Sequence, residues 1–138
     1  MTDSYTIIAY PGDRLPPTYT NMIFAKWLRS LRYGNDYFRL ISSDEYYTAY
    51  SRHINWVLRE PDCTVKLAVL TEDHDVCLGY CVHRGTVLDY VHVQRDMRRL
   101  GIGTALLPPE VTTITNITRN ALAIWNPKLK QVKFNPFT

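Results

Sequence analysis

The segment from residue 64 to residue 93 limits the fold of this chain more than any other stretch. Three β-rich runs, 64–71, 76–83 and 86–93, are separated only by Glu72-Asp73-His74-Asp75 and by Arg84-Gly85. Returning a chain to the same end of a sheet for a parallel partner takes a dozen residues or more, and these connections are far shorter. The three runs therefore pair as an antiparallel meander.

The flanking segments read as follows. Residues 5–10 are β-rich and end at the turn signal Pro11-Gly12, which predicts a first strand, with a loop at 14–17. From Thr18 onward Ile23, Phe24, Trp27, Leu28 and Leu31 recur at helical spacing with Lys26, Arg29 and Arg32 between them, and Gly34 supplies a stop. Ser42-Ser43-Asp44-Glu45 has capping-box spacing and predicts a second helix whose buried stripe is Tyr47, Tyr50, Ile54, Val57 and Leu58, ended by Pro61. His53 falls off that stripe and is expected in solvent. After Gly103 a short helix is stopped by Pro108-Pro109, and residues 111–117 read as a strand. The 17 residues between Val93 and Val111 suffice for a crossover to a parallel partner. A short helix at 119–125 and an edge-type strand at 130–137 complete the chain, and that edge could pair between subunits of a homo-oligomer.

With 138 residues and neither repeat nor linker, the chain is expected to form one domain, 1–138, with its own hydrophobic core. Apolar residues make up 46% and charged residues 21%, ordinary for a globular protein, and the net charge of +3 suits an acidic small ligand better than nucleic acid. Cys77 and Cys81, four apart in one strand, are expected on the same face and roughly 13 Å apart, beyond disulfide reach. An odd count of three unpaired thiols, with Cys63, fits a reducing compartment. The four histidines show no ligand spacing with cysteine, so no metal site is expected. The first residues carry no signal-peptide pattern and no apolar run reaches the ~18 residues of a membrane span, which predicts a cytoplasmic protein in which the sequon Asn116-Ile117-Thr118 has no meaning.

The chemistry is concentrated where the third run of the meander stops. The run ends at Val93, and Arg98-Arg99-Leu100-Gly101-Ile102-Gly103-Thr104 leads into the next helix. Backbone N–H groups at a helix start lack intrahelical partners and favour an anion, while glycine lets a ligand approach closely and allows positive φ. A dinucleotide fingerprint is a poor match, because no third glycine follows and the motif comes late in the chain. A nucleic-acid patch at 95–99 lacks interleaved aromatic residues.

The element order and this motif together resemble the GCN5-related N-acetyltransferase (GNAT) superfamily, whose acetyl-CoA motif is (Gln/Arg)-x-x-Gly-x-(Gly/Ala). Arg98, Gly101 and Gly103 match it, and Lys66–Leu70 and Cys77-Leu78-Gly79-Tyr80 look like the family's preceding hairpin. The resemblance is sharpest over residues 64–107. It implies an α+β fold: a mixed, mostly antiparallel sheet with helices on both faces and a central parallel strand pair that splays apart. It implies that Val91 and Val93 pair with the pantetheine amides of acetyl-CoA, as an added strand would. N–H groups from Arg98 to Thr104, including Arg99, Leu100 and Ile102, would wrap the pyrophosphate, with Arg98 and Arg99 adding charge. The reaction implied is direct attack of an amine, on a small molecule or a protein, upon the thioester. Asp89 and His92 are the titratable groups nearest the splay, on opposite faces by strand alternation, and His92 has the better unperturbed pKa for a base. Trp125 falls where many family members carry a tyrosine that protonates the departing thiolate, and an indole N–H is no acid near pH 7. Two functions therefore stand: an acetyl-CoA-dependent N-acetyltransferase, and a protein of that fold with weakened or lost catalysis serving as a binding or structural component, for instance of a phage or virion.

Overall fold

The computed structural model describes residues 4–98, 101–108, 111–116, 118 and 132–138. Strand β1 spans Tyr5–Pro11, followed by helices α1 (Pro17–Gly34) and α2 (Ser43–Arg59). The meander is β2 (Cys63–Leu70), β3 (Cys77–Arg84) and β4 (Val87–Val93). Helix α3 (Ile102–Leu106) and the short strands β5 (Thr113–Ile114) and β6 (Lys133–Phe134) follow. The sheet order is β1-β2-β3-β4-β5-β6. Pairing is antiparallel from β1 to β4 and parallel for β4 with β5 and β5 with β6. This is the mixed sheet expected, with its parallel pair reached by a crossover through α3.

Helices cover both faces. On one, Ile23, Trp27 and Leu31 of α1 and Ile54 and Val57 of α2 pack on Val65, Leu67, Tyr80, Val82 and Tyr90. On the other, Ile102 and Leu106 of α3 pack on Ala68, Leu78, Cys81, Leu88, Val93 and Ile114. The first core is largely aromatic at its centre: Trp27 has no exposed surface and stacks on Tyr90 at 5.0 Å between ring centroids, nearly parallel. Ser42 caps the helix as its position predicts, with Glu45 N–H donating to Ser42 Oγ at 3.4 Å. The buried tyrosine of α2 is Tyr46, not Tyr47, which is 37% exposed. Residues 46, 50, 54 and 58 recur every fourth position and so share a stripe, whereas 47 lies one residue round the helix. Tyr46 then donates its hydroxyl to Leu28 O at 2.6 Å, joining α2 to α1.

Two β-bulges redirect side chains that simple alternation misplaces. Pairing of β2 with β3 passes from Ala68↔Gly79 to Val69↔Cys77, skipping Leu78. An extra residue flips the face of everything beyond it. Cys77 therefore points to the α1/α2 side and Cys81 to the α3 side, instead of sharing a face. Pairing of β3 with β4 passes from Val82↔Tyr90 to His83↔Leu88, leaving Asp89 as the extra residue. The strand read at 111–117 is a ladder of two residues, and the one at 130–137 is reduced to Lys133–Phe134 among the described residues. The helix expected at 119–125, with Trp125, lies outside the described residues. Among the described residues no helix is long and apolar enough to cross a membrane.

Candidate active site

Strands β4 and β5 part soon after they meet. Their ladder consists of Val87↔Thr113 and Leu88↔Ile114, extended by Thr115 N–H donating to Leu88 O at 3.0 Å. Side chains then replace the ladder: Asn116 Nδ2 donates to Asp89 O at 3.0 Å and Thr115 Oγ1 to Asp89 Oδ1 at 2.9 Å. Beyond Asp89 no described strand pairs with this edge of β4, and the bond to it is a side-chain one, from Arg98 Nε to Val93 O. The opposite edge stays paired with β3, in register Cys81↔Val91, Tyr80↔His92 and Gly79↔Val93, and Gln94 N–H donates to Leu78 O at 2.8 Å. Antiparallel ladders alternate inward and outward backbone groups, so with Gln94 bonded to β3, Val91 and Val93 turn theirs into the gap.

The turn beyond Val93 closes over the end of this gap. A 3₁₀ turn at Arg95–Met97 brings Arg98 back, and its Nε donates to Val93 O at 3.0 Å. Gly101 has φ +82°, the left-handed region, and caps α3. The first bond closing α3 runs from Ala105 N–H to Gly101 O at 3.0 Å, so the N–H groups ahead of it have no acceptor within the helix. A Cβ on Gly101 would meet nothing within 4 Å, and one on Gly103 only Val93 Cγ2 at 3.6 Å. Both glycines thus leave the face of the turn bare. Gly79 has a different purpose: a Cβ there would come within 2.8 Å of His92 O and 3.3 Å of Leu106 Cδ1, so its absence lets α3 lie directly on the sheet. Arg99 and Leu100 lie outside the described residues. Ile102 is buried, and Thr104 is exposed at the helix start.

The bulge brings Asp89 and His92 to the same side of the sheet, correcting their expected opposition. Asp89 is wholly buried and receives Arg84 Nε at 2.7 Å and Nη2 at 2.9 Å, while that guanidinium lies over the Trp56 ring of α2. His92 rests beside Tyr80, whose ring is part of the α1/α2 core, at 5.8 Å between centroids. Burial, and then the charges of Arg98 and Lys26, push the His92 imidazole down to about 4. It is neutral at pH 7 and a weaker base than the free side chain it was compared with.

A cleft of about 470 Å³ opens on the α1/α2 side, beside Asn116, where β5 leaves β4. Asn35, Tyr37 and Phe38 enter it from the α1–α2 connection, Tyr50 and His53 from α2, and Phe134 from β6. The Tyr50 hydroxyl donates to Asn116 Oδ1. His53 packs against Tyr50 and Trp56, with ring centroids 5.1 and 6.0 Å away, and is half-buried rather than in solvent. Burial, the main cause, and Arg84 lower its pKa, and Asp89 partly opposes them. None of these residues was singled out from the sequence as a site residue. The one local signal was the spacing of Tyr50 and His53, which puts both on one side of α2.

No family profile and no curated protein sequence matches this chain. Its structure is similar to those of several solved proteins. A proposed acetyltransferase from Pyrococcus furiosus has TM-score 0.55 and 21% identity, over 96% of this chain and 80% of that one. An aminoglycoside N-acetyltransferase in complex with CoA has TM-score 0.51 and 13% identity, over 98% and 90%. Apo-form YjaB from Escherichia coli has TM-score 0.50 and 20% identity; 88% of this chain aligns, spanning only 66% of that one. At such identities the likeness is one of architecture. The chain has the fold of the GCN5-related N-acetyltransferases.

Proposed function

We propose that this protein is an acetyl-CoA-dependent N-acetyltransferase that transfers acetyl directly to an amine. The observation that carries the reading is the parting of β4 from β5 in front of the Arg98-x-x-Gly101-x-Gly103 turn. Val91, and Val93 through its N–H, offer outward backbone groups to the pantetheine amides, the Val93 carbonyl being taken by Arg98. The bare N–H groups from Gly101 to Thr104, with Ile102 and Gly103 between, are proposed to bind the pyrophosphate, Arg98 and Arg99 to add positive charge to it, and Leu100 to belong to the same loop. Arg98 already lies along the strand end through its bond to Val93 O. Acetyl-CoA supplies the acetyl group as a thioester.

The protein's own contribution is to hold the thioester beside the bulge and to manage the amine's protons. Asp89 and His92 are the β4 groups proposed for proton transfer. Asp89 has no exposed surface and both its oxygens accept hydrogen bonds, which favours a role in holding the bulge. His92 is the freer of the two and is in the basic, neutral form at pH 7. The non-catalytic reading rests on Trp125 at the position of the expected tyrosine and on the five-residue α3. Release of CoA thiol from acetyl-CoA tests the proposal: amine-dependent release is expected, and none from any class of amine at saturating acetyl-CoA would refute catalysis.

A further inference from the structure

We propose that the cleft beside Asn116 takes the acceptor, an amine carrying a single positive charge on an aromatic or apolar body, and that His53, in place of the β4 group His92, removes its proton. The inference rests on the acetyltransferase reading and assigns that site its substrate class.

Position comes first. The cleft is bounded by Thr115 and Asn116, the two residues that bond to Asp89 where the parallel ladder ends. An amine seated there has the splay, and any thioester held in it, as its nearest neighbour across the sheet. A volume of about 470 Å³ lies within the usual range for small-molecule sites.

The lining sets the chemistry. Tyr37, Phe38, Tyr50 and Phe134 supply aromatic surface, and Asn35 and Asn116 supply amides. Among the described lining residues there is no carboxylate and no Lys or Arg. A lone ammonium is stabilised by ring faces, whereas each further charge on a polyamine or an aminoglycoside would be desolvated without a partner. An aromatic or apolar body therefore suits this cleft and a polycation does not.

Charge also separates the two histidines. His92 lies in the field of Lys26 and Arg98, two cations that repel an incoming ammonium. The charged groups facing His53 are Asp89 of β4 and Arg84 of β3, already neutralising each other as an ion pair at 2.7 Å. The rings of Tyr50 and Trp56 pack against it. Burial keeps the imidazole neutral at pH 7 and ready to accept a proton. The step balances as follows. The ammonium gives one proton to the His53 imidazole, and the freed nitrogen forms a C–N bond with the thioester carbonyl carbon. The C–S bond breaks, the sulfur leaves with its electron pair and takes the second nitrogen proton, and His53 returns its proton to solvent. Amide, CoA thiol and one proton result.

The test compares 2-phenylethylamine, spermidine and kanamycin as acceptors at saturating acetyl-CoA, with acetyl-CoA binding followed by calorimetry. The expected result is kcat/KM for 2-phenylethylamine at least tenfold above either polycation. His53→Gln should lower kcat by about 10²–10⁴, the usual contribution of a general base, with acetyl-CoA affinity unchanged. The parent's fall in kcat/KM on acidification below about pH 6.5, the ordinary value for histidine, should vanish in that variant. In the parent, 2-phenylethylamine should shift the His53 ring proton resonance, a readout independent of how the variant folds. If acetyl-CoA does not bind the parent, the transferase reading falls and this assignment with it. If it binds, the assignment alone is overturned by any of four results: preference for a polycation, no turnover of 2-phenylethylamine, a His53→Gln rate within twofold of the parent, or loss of the acid limb in His92→Gln instead.

Discussion

A carboxylate with no exposed surface must have its charge answered inside the protein, and Asp89 is answered by Arg84 through two hydrogen bonds and by Thr115 through a third. The same residue is the bulge, so its side chain and backbone together fix where β5 leaves β4. Removing one partner of such a pair strands the other charge. Asp89→Ala is therefore predicted to destabilise the fold by about 3–5 kcal/mol, read as the shift in a urea unfolding curve. An effect under 1 kcal/mol would show that the pair is not what anchors the bulge. His92 makes a prediction of its own. Its folded pKa, about 4, lies below the unfolded value of about 6.5, so the unfolded chain binds more protons as pH falls between them. That contribution is fully present above pH 6.5 and lost on the way to pH 4. From the shift it amounts to roughly 2–3 kcal/mol, and the lowered values of His53 and His83 act in the same direction. Urea midpoints at pH 7.5 and 4.5 should show the loss, and His92→Gln should diminish it. Asp89 and His92 could be named from the sequence because both are titratable and sit at a strand end. Their shared face could not, because no glycine or proline marks the bulge.

Among the elements, the meander and the two long helices follow from local sequence: short connections force antiparallel pairing, and apolar spacing with the Ser42 cap defines α2. Helix α3 depends on less obvious features. Five residues cannot sustain a helix alone, and α3 is held by Ile102 and Leu106 against the sheet at the place where Gly79 lacks a side chain. Gly79→Ala is predicted to press first on the His92 carbonyl of β4, 2.8 Å away, and then on Leu106 of α3, and to cost about 1–3 kcal/mol in unfolding free energy. Gly101→Ala should cost about 1–2 kcal/mol for a different reason, its positive φ, because a Cβ there meets nothing. A neutral Gly79→Ala would mean that β4 and α3 do not approach Gly79 this closely. The brevity of β5 was not legible: residues 111–117 are rich in Val, Thr and Ile as in a full strand, and only the side-chain bonds to Asp89 show the ladder ending at Thr115.

Across the whole molecule, the order of strands, the crossover and the Arg98-x-x-Gly101-x-Gly103 turn were legible because each lies in one continuous segment. The cleft was not, because its walls are separated by up to about a hundred residues of chain, from Asn35 through His53 and Asn116 to Phe134, and meet only when the sheet is assembled. A position such as His53 looks solvated on a helical projection of α2 and becomes half-buried once β5 and the α1–α2 connection close around it. The central claim is that the gap between β4 and β5, closed by this turn, holds acetyl-CoA. Titration calorimetry of acetyl-CoA into the parent protein and into Gly103→Trp tests it most directly. The Cβ of the new side chain meets only Val93 Cγ2 at 3.6 Å, so the variant is expected to keep its urea midpoint while the indole fills the bare face of the turn. The account predicts one acetyl-CoA bound per parent chain and loss of that binding in the variant. No binding by the parent at millimolar acetyl-CoA, or unchanged affinity in Gly103→Trp, would contradict it.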